Sequence, residues 1–357
     1  MEASPPSVIV TGGSGLVGSR VVEHLAQRYR VFVWDVKEPK TDLPPGAEFA
    51  EVDLTSDDSV KRAAEDVARA RGELAGVVHL AAYYDFSGEP SDLYETVTVR
   101  GSERLITALR DAGPRPGQFL FSSTMLVHRP TTPGRPIRED DPLEAKWPYP
   151  QSKVRTERLL ERERGGIRLV RMRIAGVYTD QCDALPLAQQ IARIDRRSIQ
   201  SRVFPGDVTH GQAFVHLDDL ARAIGLSIDR RDDLPPDLPL LIGEPETLSY
   251  DHLQREFARL IHGEPDWRTH QIPRPAAKLG AAVQGYIPAM ADPFIKPWMI
   301  DLADDHYELD ITEARRKLGW EPEHTLRDAL PKMVEALEAD PPAWYRRHKL
   351  ELPARRQ

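Results

Sequence analysis

The chain has 357 residues, one cysteine and a formal net charge of −8 at pH 7. This length supplies a core that needs no metal or disulfide support, and the lone Cys182 excludes an internal disulfide. The acidic charge argues against a broad nucleic-acid interface. Residues 1–7 carry neither a basic start nor an apolar run, so we expect no export signal and a cytoplasmic protein.

No apolar stretch reaches the roughly 20 residues that a membrane-spanning helix needs, so no membrane span is expected. The nearest candidate, residues 279–291, is uncharged but short, and it contains Gly285 and Pro288. We expect it to line a pocket or to pack on the core.

The first half of the chain alternates short apolar runs with amphipathic stretches, which predicts βαβ units around a parallel sheet. Six strands are predicted, at residues 8–10, 30–35, 49–52, 76–80, 118–122 and 167–173. Helices are predicted at residues 16–27, at about 93–112 and from 149 to 160. Another is predicted to start from the possible caps at 55–57 and to continue through 61–69. Beyond the sixth strand prolines become frequent, which predicts a smaller second region built from insertions.

A glycine-rich turn follows the first strand directly and carries Gly12, Gly15 and Gly18. Gly12 permits a tight turn, Gly15 lets a pyrophosphate approach the backbone, and Gly18 lets the helix pack close to the strand. The amides at the start of the helix, which include Leu16 and Val17, would then face the anion. The turn therefore predicts a dinucleotide-binding site.

Asp35 ends the second strand, where a carboxylate accepts the adenosine ribose hydroxyls and repels a 2′-phosphate. We therefore expect NAD rather than NADP, although the nearby Lys37 softens that preference. The alternative for Asp35 is a helix cap or a solvated turn residue. Asp53 and Leu54, after the third strand, are candidates for contact with the adenine, but such a pair is also a common strand ending.

These features and several later motifs resemble the extended short-chain dehydrogenase/reductase family, also called the NAD-dependent epimerase/dehydratase family. The resemblance runs from about residue 8 to residue 334 and rests on motifs that follow one another in the expected order. They are residues 11–18, His79-Leu80-Ala81-Ala82, Phe121-Ser122-Ser123-Thr124, Tyr149-Pro150-Gln151-Ser152-Lys153, 214–220 and 317–322.

The resemblance implies an α/β fold with a Rossmann-type, doubly wound parallel sheet of seven strands in the order 3-2-1-4-5-6-7. A smaller, mostly C-terminal domain would bind the substrate. On this scheme residues 1–178 and 214–243 form the NAD-binding domain, 179–213 and 244–335 the substrate-binding region, and 336–357 a tail. Leu80, Ala81 and Ala82 would join the cofactor site.

Tyr149 and Lys153 are four residues apart, so on a helix they share one face. A phenol with a pKa near 10 is a poor base at neutral pH, and a neighbouring ammonium favours the phenolate. The resemblance adds Thr124, whose hydroxyl would polarise the substrate oxygen, and makes Lys153 a ligand of the nicotinamide ribose. The predicted reaction is hydride transfer at a hydroxyl or keto carbon, with Tyr149 as the base. The alternative from another functional class is a protein that binds NAD as a sensor and has no catalytic activity.

Departures from the family pattern bear on the substrate. Met125 and Leu126 stand where dehydratases place Asp-Glu, and neither can transfer a proton, which argues against sugar dehydration. Gly176 replaces an asparagine and Gln212 an arginine that sugar-nucleotide enzymes use, so a diphosphate would lose a charge-assisted clamp. Thr98 also stands where the family usually has an asparagine, so the sequence does not predict the local hydrogen-bond network.

Other side chains leave the substrate question open. Four arginines have two possible roles: they clamp a diphosphate in place of the missing arginine, or they occupy solvated helix positions. They are Arg193, Arg196, Arg197 and Arg202. Three aromatic residues are equally expected to line an apolar substrate pocket or to pack in the core. They are Tyr83, Tyr84 and Phe86. We predict net oxidation or reduction of a small, non-nucleotide substrate, with nucleotide-sugar 4-epimerisation as the alternative.

No metal is expected, because His79 and His216 have no second cluster of ligands at metal-site spacing. A homodimer through the helices at 93–112 and 149–163 is expected from the resemblance. Trp344 and Tyr345 are expected to dock on the body or on a dimer partner, and the basic residues that follow them to be a solvated tail.

Overall fold

The computed structural model describes residues 5–70, 72–85, 88–111, 115–275, 277–278 and 297–353. The strands are β1 (Ser7–Thr11), β2 (Arg30–Asp35), β3 (Ala47–Glu51), β4 (Leu74–His79), β5 (Gln118–Thr124), β6 (Arg168–Ile174), β7 (Gly176–Tyr178), β8 (Val203–Phe204), β9 (Phe214–His216), β10 (Asp237–Ile242) and β11 (His270–Gln271). The helices are α1 (Leu16–Leu25), α2 (Asp57–Arg69), α3 (Arg100–Asp111), α4 (Pro148–Glu163), α5 (Leu185–Asp195), α6 (Leu217–Asp229), α7 (Tyr250–His262), α8 (Pro297–Asp301), α9 (Thr312–Leu318), α10 (Leu326–Ala339) and α11 (Pro341–Arg347).

Seven of these strands form one parallel sheet in the order β10-β6-β5-β4-β1-β2-β3. Numbered along the chain within the sheet, this is the predicted order 3-2-1-4-5-6-7. The central strands are buried on both faces, as strands of a parallel sheet must be when helices cover them. Pro239 lies in β10, an edge strand, where a residue without a backbone N–H removes no ladder hydrogen bond on its open side.

Helices cover both faces of the sheet, as the predicted doubly wound fold requires. On one face, Val21 of α1 and Ile224 of α6 join the strands in a single apolar cluster. On the other face, Ala64 of α2, Leu105 of α3 and Leu160 of α4 do the same. The predicted fold class is confirmed.

A third apolar cluster lies in the second half of the chain, where helices α5, α7, α10 and α11 pack together. Trp344 and Tyr345 are buried in it, and the Tyr345 hydroxyl donates a 2.6 Å hydrogen bond to Asp195. The C-terminal helix therefore docks on the body of its own chain. Arg347 pairs with Asp183 at 2.7 Å, so this residue of the basic segment is tied to the fold instead of lying free in solvent.

The predicted strands and helices match the observed ones with shifts of a few residues at their ends. Ser56 caps α2 as expected, its hydroxyl accepting the Ser59 amide. The predicted helix at 93–112 differs, because the chain first forms a π-helical segment, Tyr94–Val99, and then α3. The segment 279–291 lies outside the described residues. Within the part of the chain that the structure describes, no helix combines the length and the apolar character that crossing a membrane requires.

Candidate active site

The glycine turn between β1 and α1 has the geometry that the sequence predicts. Gly12 has a φ of +71°, and a Cβ there would lie 2.8 Å from the Ala81 amide nitrogen. A Cβ on Gly18 would lie 2.1 Å from the Gly12 carbonyl oxygen, so only glycine lets α1 start this close to the turn. A Cβ on Gly15 would meet a protein atom only at 3.4 Å, an ordinary contact.

Gly15 is therefore a glycine that the protein's own packing does not require, and its φ of −78° is open to any residue. It is also the N-cap of α1 and has no side chain with which to cap the helix amides. Leu16, the first helical residue, is an exposed apolar side chain. A helix start with free amides and an open glycine is a fitting cradle for a pyrophosphate.

Asp35 lies at the end of β2 beside this turn. Its carboxylate accepts hydrogen bonds from the backbone amides of Ser14 at 3.1 Å and Val36 at 2.8 Å. The Ser14 hydroxyl donates to the Lys37 carbonyl at 2.7 Å, which ties the glycine turn to the segment after β2. The carboxylate is thus held at the edge of the turn, where the sequence predicts the adenosine ribose.

The end of β4 contacts the same turn. Ala81 donates its amide to the Thr11 hydroxyl at 3.3 Å, and Leu80 donates to the Thr11 carbonyl at 3.1 Å. His79 is fully buried, with its ring nitrogens 2.7 Å from Thr11 Oγ1 and 2.8 Å from Ser102 Oγ. Burial and the nearby Lys153 lower the pKa of His79 to about 3, so it is a neutral, structural residue beneath the turn.

Asp53 and Leu54 have contacts that a strand ending explains. Asp53 accepts hydrogen bonds from the amide and the hydroxyl of Thr55, at 2.8 and 2.7 Å. Leu54 is buried beside Gly101 of α3. Their contact with an adenine stays a prediction.

Tyr149, Lys153 and Thr124 lie together at the carboxyl end of β5. Tyr149 and Lys153 are one turn apart on α4, and Thr124, the last residue of β5, is close enough to the Tyr149 hydroxyl to lower its pKa. Lys153 Nζ donates to the Ser122 carbonyl at 2.7 Å and lies 5.7 Å from the centre of the Tyr149 ring. The fold therefore places the three predicted catalytic side chains around one point, at the sheet edge that also carries the glycine turn.

Burial acts on both titrating groups of this cluster. It lowers the pKa of Lys153 to about 7, and the Glu157 carboxylate one helical turn away opposes part of that shift. Burial raises the pKa of Tyr149, while the hydrogen bond with Thr124 lowers it. Since each charged form is disfavoured by loss of water, the phenolate and the ammonium form best as a pair, when each offsets the other's charge.

A buried polar network below Lys153 escaped the sequence analysis. Glu157 of α4 accepts hydrogen bonds from the Arg173 guanidinium of β6 at 2.8 and 3.2 Å, and from the Ser123 hydroxyl of β5. Arg173 also donates to the Glu139 carbonyl at 2.7 Å. The network anchors α4 to the sheet, and the spacing of Tyr149, Lys153 and Glu157 on one helix face is the signal that would have revealed it.

A cavity of about 310 Å³ adjoins the catalytic cluster. Leu126, two residues after Thr124, and Trp147, whose ring lies 5.4 Å from that of Tyr149, both line it. Trp298 of α8 packs on Trp147 at 5.1 Å and lines it as well. Most of the remaining wall is apolar or aromatic, and it is contributed by α5, β8, α7 and the segment 298–307.

Comparison with known proteins decides the family. The model of the NAD dependent epimerase/dehydratase family matches residues 8–243. The chain belongs to the NAD-dependent epimerase/dehydratase family. A UDP-glucose 4-epimerase of Streptomyces lividans is 28% identical over 242 residues, which cover 62% of this chain and 71% of that protein. The 3 beta-hydroxysteroid dehydrogenase type 7 of Homo sapiens is 26% identical over 374 residues, covering 93% of this chain and 95% of that protein.

Solved structures agree with this membership. The UDP-glucose 4-epimerase of Thermotoga maritima, crystallised with UDP-glucose, has a TM-score of 0.69 at 25% identity and covers 93% of this chain and 99% of its own. The Thermus thermophilus UDP-glucose 4-epimerase in complex with NAD has a TM-score of 0.66 at 23% identity, with the same coverage. The chain is thus an oxidoreductase or epimerase of the extended short-chain dehydrogenase/reductase type.

The structure shows the surroundings of the three positions at which the family resemblance predicts an asparagine or an arginine. A Cβ on Gly176 would lie 2.8 Å from the Phe214 ring, so Phe214 fills the space that an asparagine would need. Gln212 lines the cavity, and its backbone bridges to Tyr307. Thr98 accepts the Tyr83 amide at 2.9 Å from within the π-helical segment, a rare geometry that often marks functional sites.

Two of the predicted pocket aromatics lie near the catalytic cluster. Tyr84 packs edge-on against Tyr149, with ring centres 4.9 Å apart, and Tyr83 packs against Tyr94 at 4.8 Å. Phe86 lies outside the described residues. Tyr84 therefore lies directly beside Tyr149, whereas Tyr83 contacts Tyr94.

The structure distinguishes the four arginines whose role the sequence did not decide. Arg193 lines the cavity and is buried. Arg196 donates to the Glu351 carbonyl, Arg197 pairs with Glu264 at 2.7 Å, and Arg202 stacks over Trp267 at 3.5 Å. Of the four, Arg193 is the one that lines this cavity.

One cluster of ligand-type side chains was not visible in the sequence, because its members are far apart in the chain. His216, Asp218 and His324 bring such atoms within 4.8 Å of one another. His216 Nδ1 already accepts the Asp218 amide as the cap of α6, and His324 Nδ1 lies 3.0 Å from Asp219. Both histidine rings thus have a structural role. The expectation that the protein binds no metal stays a prediction.

Proposed function

We propose that this chain is an NAD-dependent oxidoreductase in which Tyr149, Lys153 and Thr124 handle the proton during hydride transfer at a carbinol or keto carbon. The observation that carries the proposal is the convergence of these three side chains at the sheet edge that holds the glycine turn. Ligands of open α/β sheets bind at this edge.

The glycine turn and the starts of the flanking loops would hold the dinucleotide. Gly12, Gly15 and Gly18 admit the pyrophosphate, the amides of Leu16 and Val17 face it, and Asp35 accepts the ribose hydroxyls. The residues assigned to the adenine and the nicotinamide side are Asp53, Leu54, Leu80, Ala81 and Ala82. The carboxylate of Asp35 favours NAD over NADP, because it repels a 2′-phosphate. When bound, the nicotinamide accepts or returns the hydride.

The chain's own residues move and hold the proton. Tyr149 takes the proton of the substrate hydroxyl, and Thr124 orients the same oxygen with its hydroxyl. Lys153 holds its ammonium toward the ring of Tyr149 and the carbonyl of Ser122, which favours the phenolate. Glu157 favours the charged form of Lys153 and so offsets part of the decrease in pKa that burial causes.

The substrate we propose is small and not a nucleotide sugar. A largely apolar cavity beside Tyr149, and Gln212 in place of a clamping arginine, support this choice. The second candidate is a nucleotide-sugar 4-epimerase, favoured by the similarity to UDP-glucose 4-epimerases and by the buried Arg193 in the cavity wall.

The test compares Tyr149→Phe with the parent protein. We expect the variant to lose hydride transfer by a factor of about 10³ or more while its dinucleotide affinity stays within about twofold, because only the proton-transferring group is removed. Tyr29→Phe, which removes a hydroxyl bonded to Asp229 on the other side of the sheet, is the matched control.

Two readouts separate the candidate reactions. Absorbance at 340 nm follows net oxidation or reduction of sterol-like alcohols and ketones, and chromatography follows conversion of UDP-glucose to UDP-galactose. Turnover without net absorbance change would make the protein an epimerase. Full activity of Tyr149→Phe would contradict the mechanism, and a catalytically silent protein would show no turnover in the parent.

A further inference from the structure

Arg193 is a charged side chain in a wall that is otherwise mostly apolar. Leu187, Gln190 and Arg193 follow one another at three-residue spacing on α5, so they share the face that lines the cavity. Arg193 is only 9% exposed. Tyr250 also lines the cavity and is close enough for the Arg193 guanidinium to oppose the rise in pKa that burial causes at its hydroxyl. Its ring stacks on Phe204 with ring centres 3.9 Å apart.

The guanidinium of Arg193 has no acidic partner among the residues that the structure describes. The other two charged side chains of the cavity, Lys146 and Asp305, pair with each other at 2.6 Å. The two arginines that follow the end of α5 are engaged elsewhere, Arg197 with Glu264 and Arg196 with a backbone carbonyl. Tyr250 is neutral and does not compensate a full positive charge.

An uncompensated buried charge costs folding free energy, and an arginine cannot lose its proton to avoid that cost. Stability alone would favour an apolar side chain at this position. A guanidinium retained in the wall of a substrate cavity is explained when a ligand brings the missing negative charge.

We propose that Arg193 and Tyr250 form an anion-binding subsite, and that the molecule which reacts beside Tyr149 carries an anionic group bound there. This inference rests on the proposed function, since it assigns a chemical feature to the substrate of that site. A carboxylate on an apolar skeleton and the diphosphate of a nucleotide share this chemistry, and the experiment distinguishes the two.

The test uses the full chain saturated with NADH and three probes. They are 3-oxo-5β-cholan-24-oate, its neutral methyl ester, and UDP. Binding is measured from the rise of the thermal midpoint with probe concentration. The variants are Arg193→Gln, Arg193→Lys and the control Arg197→Gln, which removes a charge just after the end of the same helix.

We expect the keto acid or UDP to bind, and Arg193→Gln to weaken that binding about 10- to 100-fold, the loss of a charge-assisted hydrogen bond. Affinity for the methyl ester should not change, Arg193→Lys should retain part of the anion affinity, and Arg197→Gln should behave as the parent. Without probe, the midpoint of Arg193→Gln should exceed that of the parent, because the unpaired buried charge is gone. A purely structural arginine would give the opposite shift.

Three results overturn the subsite: no stabilisation of the parent by either anionic probe, equal affinity of the parent and Arg193→Gln for the anion that binds, or a lower midpoint of Arg193→Gln without probe. Which anion binds separates a carboxylate from a nucleotide diphosphate. Failure of the proposed function looks different, because then the parent turns over no substrate while Arg193→Gln still loses anion binding.

Discussion

Gly15 and Gly18 lie three residues apart at the start of α1, yet their surroundings differ. Gly18 is required by the protein itself, since a Cβ there would overlap the Gly12 carbonyl at 2.1 Å. Gly15 has an ordinary φ, and a Cβ there would make only an ordinary contact at 3.4 Å. We therefore propose that Gly18 serves packing and that Gly15 leaves room for the dinucleotide.

These surroundings predict separate effects of two alanine substitutions. Gly15→Ala should change the thermal midpoint little, because two effects of up to about 1 kcal/mol oppose each other: alanine restricts the unfolded chain, but it is a poorer N-cap than glycine. It should nevertheless weaken dinucleotide binding at least tenfold. Gly18→Ala should lower the midpoint and abolish binding together. Thermal unfolding and NADH fluorescence titration measure both quantities, and a stable, fully binding Gly15→Ala would remove Gly15 from the cofactor site.

Single polar side chains also join elements to one another. Glu157 joins α4 to β5 and β6, which fixes the helix that presents Tyr149 and Lys153. Glu244, just after β10, accepts the Leu326 amide at 2.7 Å and so joins the edge strand to the start of α10. Glu244 is buried, and burial raises its pKa from 4.5 to about 7.

The raised pKa of Glu244 predicts how stability changes with pH. A carboxyl whose pKa is higher in the folded state stabilises the fold through its protonated form. This contribution is fully present below the unfolded-state pKa near 4.5, and it is lost as pH rises through the folded-state pKa of about 7. Glu244→Gln stays neutral, so it should be more stable than the parent at pH 8, by on the order of 2–3 kcal/mol, and nearly equal at pH 4.5.

Urea unfolding at several pH values measures this difference. Glu246→Gln is the control, because the Arg327 guanidinium holds the pKa of that exposed carboxyl below its usual range. Glu246→Gln should lower the free energy of unfolding at pH 8, which is opposite to the change expected for Glu244→Gln. Parallel pH profiles of the parent and Glu244→Gln would show that burial does not shift this carboxyl.

At the scale of the whole molecule, the sheet supplies the cofactor edge and the later helices supply the cavity wall. Tyr149 on α4 stands between them, since Trp147 next to it already belongs to the cavity. The tail helix α11 closes the cluster of α5, α7 and α10 from outside. Residue 336, where the sequence scheme starts the tail, lies inside α10.

The expected homodimer would pair α3 and α4 with their counterparts. The outer face of α4 carries Arg155, which bonds Glu95 at 2.9 Å, and further charged residues, so such an interface is polar. We predict a dimer by light scattering at micromolar concentration that dissociates more readily as salt is raised. A monomer at all protein and salt concentrations would exclude it.

The order of the strands in the sheet was expected from the family resemblance. The residues by themselves determined the buried strands, the glycine turn and the one-turn spacing of Tyr149 and Lys153. Each of these is encoded locally: an apolar run makes a buried strand, a three-residue glycine spacing makes a turn against a helix, and four residues make one helical turn. The family motifs extended this local information to Thr124 and to the seventh strand.

The tertiary structure alone decided which arginine faces the cavity, what neutralises Arg173, and why position 176 holds a glycine. Arg193, Tyr250 and Phe204 come from three separate elements, and Glu157 of α4 meets Arg173 of β6. Burial and charge compensation are sums over neighbours that no short stretch of sequence contains. For that reason the local patterns predicted the reaction centre, and only the packed molecule distinguished Arg193 from its solvated neighbours.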